Sequence, residues 1–271
     1  MPITRRTSIL PRLYAWAEST GILDHDVVYA AFVRSYFLYK RYVEDPFVGL
    51  AARHPALFRR GHILDIGANV GYTATVFRRA AVVPYRVFAF EPDERNVRAL
   101  RRAAAPYSAD AIVVVPEAVG ERAGWVDFWH NRAHAGDHRI VTAAFGDVLR
   151  DRSTVRRVRM TTVDDYVAQQ SIATAIGFIK VDVQGYELAV CRGMARTLDA
   201  NPEASVAIEY APAGSRILGF DPHAVETFFR EREYRIYTIG RDGALHAFDD
   251  RLRDSIQDDA YVDLLCTRTL V

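Results

Sequence analysis

The sequence predicts an α/β protein, a doubly wound and mostly parallel sheet of seven strands with helices on both faces, behind a helical N-terminal segment. Three observations lead there. After Gly61, short apolar runs alternate with helical patterns, as parallel strands joined by crossover helices do. Two further runs near the end of the chain suit a closing antiparallel pair. At 271 residues, 50% hydrophobic and 25% charged, the chain is long enough for one large core and has the composition of soluble globular proteins.

The elements follow in order. Residues 1–60 read as an N-terminal helical segment, because from Asp24 to Tyr39 the residues Val27, Val28, Ala31, Phe32, Tyr36 and Tyr39 recur at intervals of three and four. This tyrosine-rich face can pack internally, cover an active site or pair two copies as a homodimer. Residues 61–271 form the main domain. Its strands are His62–Ile66, Arg86–Phe90, Ala111–Val115, Ile176–Val181 and Ser205–Glu209, closed by Tyr234–Ile239 and Ala260–Thr267. Helices fit at Tyr72–Ala81, Glu94–Ala104 and Tyr186–Leu198. The stretch 116–175 is too long for a plain loop, so it reads as an insertion or lid. Within it Trp125–Trp129 alternates like an edge strand, Thr162 caps a short helix, and polar Asn131–Arg152 is a candidate mobile segment over the substrate.

Composition excludes several classes. Basic residues number 35 and acidic residues 34, for a net charge of +1, without the basic excess a nucleic-acid binder carries. No apolar run reaches the roughly 20 residues of a membrane-spanning helix. The two cysteines, Cys191 and Cys266, sit far apart and suggest neither a disulfide framework nor a zinc site. The expected compartment is the cytoplasm.

The run from Ile63 to Thr73 is a strand that ends in a glycine turn and enters a helix. Gly67 permits the turn, and the helix starting near Gly71 presents unpaired N–H groups. Ligands of such sheets bind beyond the carboxyl ends of the strands. A dinucleotide fingerprint needs glycine where this chain has Asn69 and Tyr72, so a nicotinamide-dependent oxidoreductase is disfavoured. Asp65 instead places a carboxylate near the helix start, suited to the amino-acid end of a cationic sulfonium ligand. Glu91, followed by Pro92, can accept hydrogen bonds from a ribose diol or cap the next helix. Glu117 can reach an adenine edge or simply face solvent.

With these stand Leu64-Asp65-Ile66-Gly67-Ala68-Asn69-Val70-Gly71-Tyr72, Phe90-Glu91-Pro92, Glu117-Ala118-Val119-Gly120, Thr161-Thr162-Val163-Asp164-Asp165 and Phe178-Ile179-Lys180-Val181-Asp182-Val183-Gln184-Gly185-Tyr186-Glu187. Together they resemble the FkbM family of S-adenosylmethionine-dependent methyltransferases over roughly residues 61–210. The resemblance implies a Rossmann-like class I methyltransferase fold, S-adenosyl-L-methionine as cofactor, and O-methylation of a hydroxyl on a sugar, glycolipid or secondary metabolite. The cofactor residues are then Asp65, Gly67, Ala68, Asn69, Gly71, Tyr72, Thr73, Glu91, Pro92, Glu117, Ala118 and Asp182. Gln184 stands where the family commonly has glutamate.

Methyl transfer needs an aligned acceptor oxygen and somewhere for its proton to go. Asp182, ending the fourth strand, is the first candidate for base or orienting group, or it caps the following segment. Glu209 can bind acceptor hydroxyls or share a divalent ion with Asp182. His130, His134 and His138 are spaced by four; His134, His138 and Arg139 are candidates for substrate contact, and without a clear ligand cluster no metal is assigned. Arg95, Arg98, Arg101 and Arg102 form either a solvated helix face or a phosphate-binding stripe. The competing functions are methylation of RNA or protein, and cofactor binding without catalysis.

Overall fold

The computed structural model describes residues 4–5, 26–131, 137–150, 152–257 and 260–269. Helix α1 (Asp26–Tyr39) and helix α2 (Phe47–Arg53) precede strand β1 (His62–Ile66). Then come α3 (Tyr72–Ala80), β2 (Val87–Phe90), α4 (Glu94–Ala104) and β3 (Ile112–Val115). A smaller unit follows, made of β4 (Ala118–Val119), β5 (Gly124–Trp129), β6 (Arg139–Ile140), α5 (Ala143–Val148) and β7 (Val155–Thr161). The chain returns through α6 (Val163–Gln169), β8 (Ile176–Val181), α7 (Glu187–Arg192), α8 (Ala195–Ala200) and β9 (Ser205–Tyr210). It closes with α9 (His223–Arg230), β10 (Arg235–Ile239), β11 (Leu245–Ala247) and β12 (Ala260–Thr267).

The main sheet has the order β11-β10-β12-β9-β8-β1-β2-β3. From β3 to β9 all neighbours are parallel, and β12 lies antiparallel between β9 and β10. The seven expected strands are present. Two more make nine, β11 on the outer edge and Thr4–Arg5 beside β12. Strand order reverses between β1 and β8, which opens a crevice at their carboxyl ends.

Parallel strands covered on both faces read as unbroken apolar runs, and β8 and β9 are buried at every position. Alternate residues serve opposite faces. Leu64, Ile66, Ile179 and Val181 pack with Val163 and Val167 of α6 and Leu188 and Val190 of α7. Ile63, Ala89 and Phe178 pack with Phe77 of α3 and Phe47 and Leu50 of α2, so residues 47–58 belong to the same core as the sheet. The second alternation also sets the polar chemistry, since Asp65, Lys180, Asp182, Glu209 and Asp263 all share the parity of that face.

Three local expectations change. The helix over Tyr186–Leu198 is two helices, broken at Gly193, where a Cβ would stand 2.0 Å from the Gly120 carbonyl oxygen. Trp125–Trp129 lies inside its four-stranded sheet, whose order is β4-β7-β5-β6, because β7 and β6 flank it. The polar Asn131–Arg152 stretch carries β6 and α5, the latter capped by Thr142 Oγ1 accepting from Phe145 N–H. Residues 132–136 and 151 lie outside the described residues.

Candidate active site

The crevice is floored by the turn after β1. Gly67 and Gly71 have φ of 79° and 91°, and Asn69 has φ of 49°. At Gly67 a Cβ would fall 1.8 Å from the Asp182 carbonyl oxygen, so glycine is required by contact as well as by conformation. The N–H groups of Gly67 and Ala68 donate to the Phe90 carbonyl at 3.1 and 2.9 Å. Lys180 Nζ donates to the Gly67 carbonyl at 3.0 Å. The turn is thereby held from β2 and β8 together.

Asp65 does not line the crevice. It is fully buried, with Oδ2 accepting from Thr73 Oγ1 at 2.6 Å and Oδ1 3.6 Å from Lys180 Nζ. Register explains this: Asp65 and Lys180 are direct partners on adjacent strands, and both face α3. The expectation that Asp65 meets the ligand's amino-acid end is therefore corrected. Asp65 ties the start of α3 to the strand beneath the turn, while Asp182 presents a carboxylate to the crevice with its side chain 31% exposed. Gly71, the left-handed residue before α3, also lies off the lining, whereas Gly67, Ala68, Asn69, Tyr72 and Thr73 are on it.

Glu91 lines the crevice from the end of β2. Its Oε2 accepts from Asn69 N–H and its Oε1 from Asp93 N–H, both at 2.9 Å. Burial, reinforced by the charge of Asp93, pushes its pKa up to about 8. The next helix is capped by Asp93, whose Oδ1 accepts from Arg95 and Asn96 N–H. Glu91 therefore stays aimed at the crevice. Pro92, Glu117 and Ala118 complete this wall. Glu117 also pairs with Arg159 at 3.4 Å.

Around Asp182 the loop to α7 is kept by Glu187, whose buried Oε1 accepts from Val183 and Gly185 N–H at 3.0 and 3.1 Å. Glu187 thus does the work for which a capping Asp182 was the alternative. Burial would raise the Asp182 pKa, but Lys180, at 3.3 Å, acting together with Lys40 and the Gln184 hydrogen bond, outweighs it and holds the carboxyl below its usual value. Gln184 Nε2 bridges Asp182 Oδ1 at 2.7 Å and Glu209 Oε2 at 3.3 Å. Glu209 stands behind that bridge, away from the crevice lining. Its cross-strand partner Asp263 was not singled out from sequence, and burial and then Asp182 push its pKa up to about 7. From α1, Tyr36 also reaches the crevice, with Lys40 just beyond the helix. These residues and Asp263 become legible only once strand register and the place of α1 are known.

His134 lies outside the described residues. His138 lines the crevice and stacks on His130, ring centroids 4.3 Å apart. Its Nδ1 accepts from Asn131 N–H at 3.1 Å, which leaves the neutral ring's proton on Nε2. His130 Nδ1 meets Asp93 Oδ2 at 2.9 Å. Asp93, His130 and His138 thus bring possible metal ligands within 4.8 Å of one another. An ion bound through His138 would have to remove the Nε2 proton or displace the Asn131 hydrogen bond, so the set fits a hydrogen-bonded wall better than a metal centre. Arg139 is buried against Asp137 at 2.6 Å and does not line the crevice.

The FkbM methyltransferase domain profile matches residues 65–236, more than half of the chain. The chain belongs to the FkbM methyltransferase family. No curated protein matches it. Solved structures similar to this FkbM-family chain include the O-methyltransferase TomG of Streptomyces achromogenes in complex with SAM, at 14% identity, TM-score 0.43 and coverage of 98% of this chain and 92% of that one. An O-methyltransferase from Bacillus cereus in complex with SAH is similar at 13% identity and TM-score 0.43, covering 96% and 92%. A SAM-dependent methyltransferase from Aquifex aeolicus is similar at 12% identity and TM-score 0.45, covering 85% and 93%. Among the described residues no helix is long and apolar enough to cross a membrane.

Proposed function

We propose that this FkbM-family methyltransferase uses S-adenosyl-L-methionine to methylate a hydroxyl oxygen of a sugar, glycolipid or secondary metabolite in the cytoplasm. The observation that carries the reading is the placement of two crevice carboxylates, Glu91 and Asp182, on either side of the Gly67–Val70 turn. The donor set fits the cofactor. Each oxygen of Glu91 keeps acceptor capacity for a ribose hydroxyl, and Asp182, held ionised by Lys180, complements a cationic tail. Asn69 carries a side chain where a dinucleotide fingerprint has glycine. When bound, the cofactor supplies an electrophilic methyl group, so the protein's own part is alignment and proton management.

Asp182 is the residue we assign to orienting the acceptor hydroxyl, because a carboxylate with a depressed pKa is a weak base but a strong acceptor. His138, protonated on Nε2, offers a donor from the opposite wall.

Calorimetry with S-adenosylhomocysteine and with NAD tests the pocket: the first is expected to bind and the second not. Glu91→Ala is expected to lose tenfold to a hundredfold in affinity, about what leaving a buried ribose hydroxyl without its partner costs. Asp182→Asn, which keeps an acceptor oxygen but loses the charge, is expected to weaken S-adenosylhomocysteine binding and to lose turnover by a larger factor. Equal affinity in wild type and Glu91→Ala overturns the assignment.

A further inference from the structure

A second groove runs beside the crevice, between α4 and β7. Its lining includes Arg95, Arg98 and Arg101 from the helix and Arg156, Arg157 and Arg159 from the strand. The groove lining holds two acids, Asp93 and Glu94, with Glu117 beside Arg159 and Asp127 across the strand from Arg157, in a chain whose overall net charge is only +1. Asp93 is already committed to the α4 cap and to His130. Three of the arginines are occupied: Arg95 lies over the Tyr29 ring at 4.3 Å, Arg157 near the exposed Trp125 ring at 5.8 Å, and Arg159 pairs with Glu117. Arg98, Arg101 and Arg156 make no ion pair among the described residues.

From the sequence alone a solvated face is the simpler account of the helix arginines. The structure adds Arg157 and Arg159, which share one face of β7 with Trp125 across from them, and Arg156 on the opposite face, all bordering the groove. Guanidinium groups so gathered repel one another unless an anion lies between them, and their planar forks match phosphate oxygens in pairs. Pro92 and Phe128 line both this groove and the crevice, so the two adjoin.

We propose that this groove binds the phosphate or diphosphate of a phosphorylated acceptor, with the hydroxyl-bearing end of the same molecule entering the methyl-transfer crevice. The inference rests on the proposed function only for what the phosphate is attached to. A small phosphorylated molecule is favoured over nucleic acid because the positive charge is confined to a groove that adjoins the crevice, in a chain with almost balanced charge. A nucleoside diphosphate and a lipid-linked diphosphate present the same chemistry here.

The test titrates the full chain, saturated with S-adenosylhomocysteine, with pyrophosphate, uridine diphosphate, geranyl diphosphate and a single-stranded RNA of eight nucleotides. At least one diphosphate is expected to bind, and to weaken at least tenfold in Arg98→Gln/Arg101→Gln and in Arg156→Gln/Arg157→Gln, while S-adenosylhomocysteine affinity stays within twofold. Tighter binding of uridine diphosphate than of geranyl diphosphate identifies a nucleotide carrier, and the reverse a lipid carrier. Three outcomes overturn the proposal: no diphosphate binds, binding is unchanged in both double variants, or RNA binds more tightly than every diphosphate. If S-adenosylhomocysteine itself fails to bind, the crevice reading falls, and the diphosphate titrations of the same variants without it still judge the groove.

Discussion

Lys180→Met is the perturbation on which this architecture makes its sharpest demand. The ammonium group is 5% exposed and serves three partners: Asp182 at 3.3 Å, Asp65 at 3.6 Å and the Gly67 carbonyl at 3.0 Å. Methionine keeps the length and apolar stem and removes the charge. Asp65, wholly buried, then has only Thr73 to offset its charge, and removing one partner from a buried ion pair costs about 3–5 kcal/mol. Set against a total stability of about 5–15 kcal/mol, that is about a fifth or more. At about 2–4 °C per kcal/mol for a domain of this size, the melting temperature should fall by roughly 10 °C. Denaturant titration followed by circular dichroism measures the loss. The double variant Asp65→Asn/Lys180→Met should regain at least about 1 kcal/mol, since the uncompensated charge is gone while Asp182 can still reach water. A single variant within about 1 kcal/mol of wild type, or a double variant worse than the single, refutes the reasoning.

Two further predictions follow from the same region. Gly67→Ala should destabilise the fold by more than about 1 kcal/mol and weaken S-adenosylhomocysteine binding, because φ is positive and the new Cβ meets the Asp182 carbonyl; unchanged melting and affinity would contradict that contact. Stability should also decline from about pH 5 to pH 8. Glu91, Asp263 and Asp45 keep their protons to about 8, 7 and 6 when folded, whereas unfolding returns them to ordinary values of 4.5, 3.8 and 3.8, so over that window the unfolded chain binds fewer protons. Asp93 works in the opposite sense, adding stability above pH 3.8 that is lost as pH falls towards about 2. Melting curves across this range that rise steadily to pH 8 would remove the burial argument.

Most of the sheet was legible because strands buried on both faces leave continuous apolar runs. β1, β8 and β12 have the bounds read from sequence, and α4 begins and ends where its pattern does. The break at Gly193 was not legible, since its cause is Gly120, far away in sequence. The role of Asp65 was misjudged for a similar reason: only the pairing of β1 with β8 sets it opposite Lys180. Glu91 was easier to place, because Pro92 ends the strand and Asp93 follows as a natural cap. The stacking of His130 on His138 depends on how β5 and β6 pair, which spacing alone does not reveal.

A short chain of contacts joins the first helix to the far side of the molecule. Tyr29 of α1 donates to Asn96 Oδ1 at 3.4 Å, and Asn96 Nδ2 donates in turn to Glu91 Oε1 at 3.5 Å. Shifting α1 would loosen the amide that helps hold Glu91 in its rotamer, even if the sheet did not move. Deleting or swapping this helix is thus a change to the proposed nucleoside clamp, and chimeras that exchange N-terminal segments to alter acceptor choice are expected to need a hydroxyl at position 29.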